Sequence, residues 1–356
     1  MKKFLIVLLC VLLVLGGACA AVFFTANHYL NKINRVDDSV ETIPVSDEYF
    51  ETDVAVVSPD AKVLDPNEIV WDSYEPDETV PASANPTNAP ETAQPAASNQ
   101  NNGSKSNKPQ EKTVYNVLLV GQDRREGEGR SRSDAMILCS INTKTGKVAM
   151  ISFLRDLYVQ IPGYSDNKLN HAYVFGGFPL LKSTLYKNFG VTVDASFEVD
   201  FNGFIALIDQ VGGVDINLTA EEVIQIGKGT HEGMNHLDGR SALAYARIRK
   251  IGTDFARTNR QRTVLLAVYD KLKDESITDL VKLVDTALPY VTTDMSNTDI
   301  YALGMKLFPL LKSVSISTYY VPPEGTYEGV FIRQMYVLYP DLKAIRDILH
   351  SQYIPY

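Results

Sequence analysis

Apolar side chains run almost unbroken from Val114 to Val120 (VYNVLLV) and stop at Gly121, a pattern that predicts a buried strand. Ala135 to Ile141 (AMILCSI) and Val148 to Phe153 (VAMISF) repeat it. The connector Asn142 to Lys147 is short and contains Gly146, which predicts an antiparallel pair. Val214 to Leu218 and Val314 to Val321 read as two further strands. Elsewhere the spacing becomes helical. Leu181, Leu185 and Phe189 share one face, with Pro179 suited to a first turn and Gly190 to a C-terminal cap. Short helices are predicted over Phe204 to Val211, ending at Gly212-Gly213, and from a capping Asp238 through Tyr245. A longer amphipathic helix is predicted over Thr263 to Lys273, and a closing helix over Leu338 to His350. Strands and helices intermingled in one body, with no internal repeat, predict an α/β fold in which a central mixed β-sheet is flanked by helices.

The pattern differs before residue 111. Lys2 and Lys3 precede an uncharged run of 21 residues from Phe4 to Phe24. As a helix it spans roughly 31 Å, close to the hydrocarbon thickness of a bilayer. One N-terminal membrane-spanning helix within residues 1–28 is therefore expected. A cleaved signal peptide competes, because Gly16 to Ala20 suit a peptidase, but its apolar region is typically about 7–15 residues. A lipoprotein reading through Cys19 has its Leu, Leu15, one position too far back. Lys2 and Lys3 favour a cytoplasmic N-terminus with the remainder outside the cell, although Lys32 and Arg35 weaken the asymmetry.

Net charge is −9, and residues 36–80 alone carry −13, with fourteen acidic residues against Lys62. Residues 29–80 are thus read as an acidic extracellular segment. Val54 to Val57, Ile69 to Trp71 and Tyr74 offer a local strand or docking patch there, but the charge favours a solvated, loosely ordered chain. Residues 81–110 contain no large apolar side chain, so a disordered linker is expected, holding the body of residues 111–356 off the membrane. That body carries −1, which argues against a nucleic-acid binder. Cys10 and Cys19 fall in the apolar run and leave Cys139 as the body's only thiol, so neither an internal disulfide nor a cysteine metal site is available, and Cys139 reads as core.

The body holds thirteen arginines, ten of them in three places: Arg124, Arg125, Arg130 and Arg132; Arg155; and Arg247, Arg249, Arg257, Arg260 and Arg262. Planar guanidinium groups match phosphate oxygens, so a local polyanion site is one reading and ordinary salt bridging the other. Asp123 follows the first strand and Asp134 precedes the second. Together they suit one hard cation such as Mg²⁺ shared with substrate phosphates; alternatively they pair with Arg124, Arg132 or Arg155. The five histidines lack a metal-ligand spacing, His231 and His236 read as solvent-exposed, and neither a Gly-x-Ser-x-Gly elbow nor a Walker loop occurs.

The blocks VLLVGQD (117–123), RSRSDAM (130–136), SFLRD (152–156), KLNHAYVFGG (168–177), VDFNGFIALIDQVGGVDI (199–216), LDGRSALAYARIRK (237–250) and DFARTNRQR (254–262) resemble, in order, the LytR–CpsA–Psr family. That resemblance implies a phosphotransferase moving a glycopolymer phosphate from a polyprenyl-pyrophosphate carrier to peptidoglycan, generally the 6-hydroxyl of a muramic acid, at the outer membrane face. It implies Mg²⁺, with Mn²⁺ as a substitute, at Asp123 and Asp134. Arg155, Arg247, Arg249 and Asp254 are the implied catalytic groups, and Arg132, Arg257, Arg260 and Gln261 the implied substrate-binding ones. Asp134, Asp156 and Asp254 are each available as base. Phe153-Leu154 stands where relatives commonly have Ile-Pro. An isoprenoid needs an apolar slot, for which the apolar residues between 173 and 226 are one source, although most of them read as core. A non-catalytic envelope or regulatory protein that binds the lipid-linked polymer, or a polyprenyl-pyrophosphate hydrolase, is the alternative.

Overall fold

The computed structural model describes residues 27–36, 61–72, 112–122, 130–310 and 312–356. The apolar run at 4–24, most of the acidic segment, the 81–110 linker, and Asp123, Arg124 and Arg125 lie outside the described residues. Among the described residues no helix is long and apolar enough to cross a membrane.

In chain order the strands are β1 (Asn34–Arg35), β2 (Lys62–Val63), β3 (Val114–Gln122), β4 (Ser133–Asn142), β5 (Lys147–Phe153), β6 (Tyr158–Val159), β7 (Asn167–Lys168), β8 (Ala195–Asp200), β9 (Val214–Leu218), β10 (Gly233–Leu237), β11 (Thr292–Thr293), β12 (Ser315–Val321), β13 (Tyr327–Ile332) and β14 (Met335–Pro340). The helices are α1 (Leu169–Phe189), α2 (Phe201–Gln210), α3 (Ala220–Ile226), α4 (Gly239–Ala246), α5 (Asp254–Leu272), α6 (Ile277–Ala287), α7 (Asn297–Leu307) and α8 (Leu342–Ile348). A seven-stranded mixed sheet runs β1-β11-β8-β3-β4-β5-β12. β4 and β5 are antiparallel neighbours, as the connector predicts; β3 also pairs antiparallel with β4, while β8 and β12 join β3 and β5 in parallel.

The two sheet faces are covered unequally. Leu118, Val120, Met136, Leu138, Ile151 and Phe153 pack in the main core with Phe175, Phe178, Leu181, Leu185 and Phe189 of α1 and Ile345 of α8. On the opposite face Val117, Ala195 and Met295 are buried, but Leu119, Cys139, Ile141 and Phe197 are only half-buried. Burial pushes the Cys139 thiol up to about 12, so it is an inert packing group. A second core joins the β9–β10 hairpin to α2, α4 and α5 through Ile208, Val214, Ile216, Leu237, Tyr245 and Val264.

Helix α1 breaks at Gly176-Gly177, where Gly177 has φ +59° and ψ −150°. That backbone conformation favours glycine, and a Cβ there would also stand 3.0 Å from the Arg130 guanidinium carbon, which would have to shift. Pro179 then opens the second half, and Gly190, at φ +67°, ends it by donating its N–H to Tyr186 O at 2.8 Å.

Three expectations need correction. Helix α5 starts at Asp254 and not at Thr263, because buried arginines in its first turns obscure the apolar period. Residues 335–340 form β14 and not helix. The two-residue turn into β14 is Arg333-Gln334, both at positive φ (+49° and +66°), a turn usually signalled by Asn or Gly. The helix begins only at Leu342, capped by the Asp341 carboxylate, which accepts from Ala344 N at 2.9 Å.

Residues 61–72, expected to be solvated, dock on the body. β2 extends β13 in parallel, and the Trp71 ring stacks on Tyr158 at 6.0 Å and packs on Tyr339 at 5.9 Å. Trp71 Nε1 donates to Asp166 Oδ2 at 2.7 Å. Asp72 pairs with Arg346. Half-burial of a large aromatic overcame the local charge. Trp71→Ala is expected to lower unfolding free energy by about 2–3 kcal/mol, less than a fully buried Trp would lose, and urea denaturation followed by tyrosine fluorescence measures it.

Candidate active site

Backbone packing fixes the central arginine. Arg155 follows β5, where Leu154 N donates to Val321 O at 2.8 Å and Leu338 N donates to Asp156 O at 2.9 Å. Asn170 N, at the start of α1, donates to Arg155 O at 3.3 Å. Three neighbouring elements thus hold residues 154–156, which is the rigidity a preorganised site needs.

From that base the Arg155 guanidinium reaches three carboxylates. Nη1 lies 3.2 Å from Asp134 Oδ1, and Nε lies 3.5 Å from both Asp156 Oδ2 and Asp254 Oδ2. Each carboxylate has a second cation. Arg249 Nη2 is 3.4 Å from Asp134 Oδ2, Lys168 Nζ is 2.9 Å from Asp156 Oδ1, and Arg257 Nη1 is 3.2 Å from Asp254 Oδ1. Among the described residues four cations therefore face three carboxylates. Asp254, Arg257 and Gln261 share one face of α5, and Gln261 Nε2 donates to the backbone oxygen of Asp134 at 3.5 Å.

Arg257 is 4% exposed; its Nε has no hydrogen-bond partner among the described residues, and its Nη1 meets Asp254 only as an ion pair. Burial lowers its pKa, opposed by the Asp254 charge and reinforced by Arg155. Buried guanidinium donors left unsatisfied cost about 1–3 kcal/mol unless a ligand accepts from them. Asp254 is raised to about 6, first by burial and then by its hydrogen bond with Asp156. Burial also raises Asp156, but the hydrogen bond from Asp254 and the charges of Lys168 and Arg155 outweigh it and hold this carboxylate well below the usual range.

The structure thus brings Asp134, Arg155, Arg249, Asp254, Arg257 and Gln261 together. Arg132 lies two residues before Asp134, half-buried, on the approach to β4. Arg247 ends α4 with its guanidinium stacked over the Phe201 ring at 4.1 Å. Arg260 points elsewhere. Its Nε lies 2.8 Å from Glu222 Oε1, and Nη1 and Nη2 donate to the carbonyls of Ile248 and Ile251 at 3.3 and 3.1 Å. Glu222 also completes the capping box of α3 with Thr219, so Arg260 ties α3 to α5. Arg260→Ala is expected to lower stability by about 3–5 kcal/mol by stranding the Glu222 charge, as thermal and urea unfolding would show.

Two groups escaped the sequence reading. Lys168 is 3% exposed and stands beside Asp156; it lies in the KLNH block, but as a lone lysine it carries no pattern. Glu198 is 4% exposed and accepts from the Gln122 side chain and the Tyr173 hydroxyl, while Gln122 Oε1 accepts from Ser131 N at 3.0 Å. That network joins Gln122 to Ser131, on either side of the segment that contains Asp123. No spacing rule would have joined residues 122, 131, 173 and 198.

Among the described residues no group of three or more His, Cys, Asp or Glu is placed to hold a metal. Asp134 does offer one hard oxygen donor beside the arginines, and its two ion pairs are longer than the roughly 2.7–2.9 Å of a tight charge-assisted bond. This chemistry fits Mg²⁺, which is commonly bound by one or two carboxylates plus substrate phosphates and water. His236 is exposed and bonded to Asp215 at 2.7 Å, and His231 is exposed as well, in agreement with the sequence reading. Most of the apolar residues between 173 and 191 are buried in the main core.

Comparison with known proteins places this geometry. A family model described as the LytR_cpsA_psr family matches residues 82–351. The polyisoprenyl-teichoic acid–peptidoglycan teichoic acid transferase TagT of Bacillus subtilis is 36% identical over 234 residues, covering 61% of this chain and 71% of that protein. The regulatory protein MsrR of Staphylococcus aureus is 33% identical over 218 residues, covering 60% of this chain and 66% of its own length. Among solved structures, TagT bound to LIIa-WTA superposes with a TM-score of 0.56 at 29% identity, over 69% of this chain and 94% of that one. TagT with bound octaprenyl pyrophosphate lipid gives 0.53 at 27% identity, over 69% and 94%. The sheet with its flanking helices is shared with these structures, and the chain belongs to the LytR_cpsA_psr family.

Proposed function

We propose that this protein is a membrane-anchored phosphotransferase that moves a glycopolymer phosphate from a polyprenyl-pyrophosphate carrier to a peptidoglycan hydroxyl, that of a muramic acid, outside the cell. The observation that carries the proposal is Arg257, buried with an Nε that has no hydrogen-bond partner among the described residues, gathered with Arg155 and Arg249 around the same carboxylates. Support comes from TagT, which is named a teichoic acid transferase and has been solved with octaprenyl pyrophosphate lipid.

In this reading the acceptor hydroxyl attacks the glycan-side phosphorus, the bridging P–O bond breaks, and polyprenyl phosphate leaves with the bond's electron pair. Charge grows on the bridging and non-bridging oxygens, so positioning and compensating cations do most of the work. Arg155, Arg249 and Arg257 supply them, and Arg247 and Arg132 extend the positive rim. Asp254 takes the hydroxyl proton: its carboxylate binds a proton near neutral pH, whereas Asp156 is held ionised by Lys168. Asp134 with Asp123 would hold Mg²⁺, which when bound neutralises phosphate oxygens. The half-buried apolar face at Leu119, Cys139, Ile141 and Phe197, partly covered by Met295, Ile300 and Leu303, suits the prenyl chain.

Binding of polyprenyl pyrophosphate to Arg257→Gln tests the site. Loss of charge-assisted bonds should weaken binding about 10–100-fold, with a smaller loss for polyprenyl monophosphate. Equal binding by the variant would remove the pyrophosphate assignment. The name of MsrR, a regulatory protein, supports a second, non-catalytic reading, which acceptor-dependent turnover separates from the first.

A further inference from the structure

We propose that residues 27–36 are a strap that clamps the enzyme body directly against the membrane, so that the lengths of the polar stretches after it do not set the body's height. The proposal rests on the anchor reading of residues 4–24.

The strap is bonded along its length. β1 pairs in parallel with β11, with Asn34 N donating to Val291 O at 3.0 Å and Val36 N to Thr293 O at 3.3 Å. Ile33 is 6% exposed, and Val36 packs on the main core. Lys32 pairs with Asp285 of α6, and Arg35 donates to Asn297 of α7. Asn297 Nδ2 in turn donates to Asn27 Oδ1 and Asn31 Oδ1, both at 2.6 Å, and Asn34 Nδ2 donates to Pro289 O at 2.7 Å. Buried apolar groups at both ends of a bonded strand describe a docked segment, not a passing chain.

Its position matters for the site. Only Thr25 and Ala26 separate Phe24 from Asn27, so Asn27 lies within about 10 Å of the end of the apolar run. The register runs Asn34 to Thr292, Thr292 to Glu198 and Glu198 to Val120. Three strand spacings, roughly 14 Å, therefore separate the strap from β3, at a level two residues short of Gln122, the last residue of β3 and the one before Asp123. The chain returns to the body at 61–72 and again at Lys112, which pairs with Asp194. Residues 37–60 and 73–111 thus both begin and end on the folded body, and their lengths do not set its height. A lipid-borne pyrophosphate lies at the membrane surface, and the strap keeps the arginine cluster at a fixed reach from it.

The test uses full-length protein in liposomes, with Cys10 and Cys19 replaced by Ala, a donor dye on a cysteine introduced at exposed Lys343, and acceptor-labelled lipid headgroups. A Gly/Ser insertion of about thirty residues between Val45 and Ser46 should leave energy transfer unchanged. Ile33→Asp should lower it, and the same insertion in that background should lower it further, as the body moves away by some tens of ångströms on a random-coil tether. Lys32→Asp should lower transfer, and adding Asp285→Lys should restore it. A fall caused by the insertion alone, or none in Ile33→Asp with the insertion, would overturn the strap. Release of the protein by carbonate would overturn the anchor reading and the strap with it, whereas carbonate-resistant protein with insertion-dependent height would overturn the strap alone.

Discussion

Arg155→Ala is expected to lower glycopolymer transfer about 10³-fold or more while the protein unfolds cooperatively within a few degrees of the parent. The activity loss follows from position: one guanidinium lies within 3.5 Å of Asp134, Asp156 and Asp254, where the transferring phosphate would sit. Single donors aimed at developing charge typically contribute about 10²–10³, and an arginine on a transferring phosphoryl group about 10³–10⁵. Stability is spared for a separate reason. Asp134, Asp156 and Asp254 each keep a second cation in Arg249, Lys168 and Arg257, and the backbone at 154–156 is held by bonds that alanine leaves intact. Arg155→Lys should recover only part of the rate, because it restores charge without the planar fork. Steady-state transfer and differential scanning calorimetry on the same preparations check both halves. Full activity in Arg155→Ala would remove the assigned role.

Asp254→Asn is the second large effect, about 10²–10⁴ in the rate, the usual worth of a positioned base. The pH profile makes the assignment specific. Asp254 accepts a proton only when ionised, and it is raised to about 6 by burial and by Asp156. Transfer by the parent should therefore climb as pH rises through about 6 and level off above it. In Asp156→Asn the neighbouring charge is gone and Asp254 falls back toward its ordinary value, so the rise moves to lower pH. In Asp254→Asn the rise disappears along with most of the rate. An unchanged acid limb in both variants would exclude Asp254 and Asp156 as the base and leave the role to Asp134.

The strands β3, β4, β5, β9 and β12 are legible in the sequence because each is a continuous or alternating apolar run with a glycine or polar turn beside it. The first half of α5 is not, because its inward positions are Arg257, Arg260 and Arg262, whose burial depends on carboxylates and carbonyls supplied by distant segments. The same dependence decides the site. The arginines and aspartates stand out as residue types, but only the fold separates Arg155, Arg249 and Arg257, gathered around the carboxylates, from Arg260, committed to Glu222. Lys168 and Glu198 matter through tertiary neighbours alone. Charge density misled at residues 61–72, where Trp71 and one short strand dock a segment that composition assigns to solvent.

The most direct measurement follows radiolabel from a polyprenyl-pyrophosphoryl glycan, with Mg²⁺, the purified protein and peptidoglycan oligomers. Mass analysis then shows what joins label to acceptor. A transferase yields acceptor carrying the glycan through one phosphodiester, with polyprenyl phosphate released in equal amount, and chelator or Asp134→Ala abolishes both. Glycan phosphate released without any labelled acceptor, or donor bound tightly and recovered unchanged, would contradict the transferase.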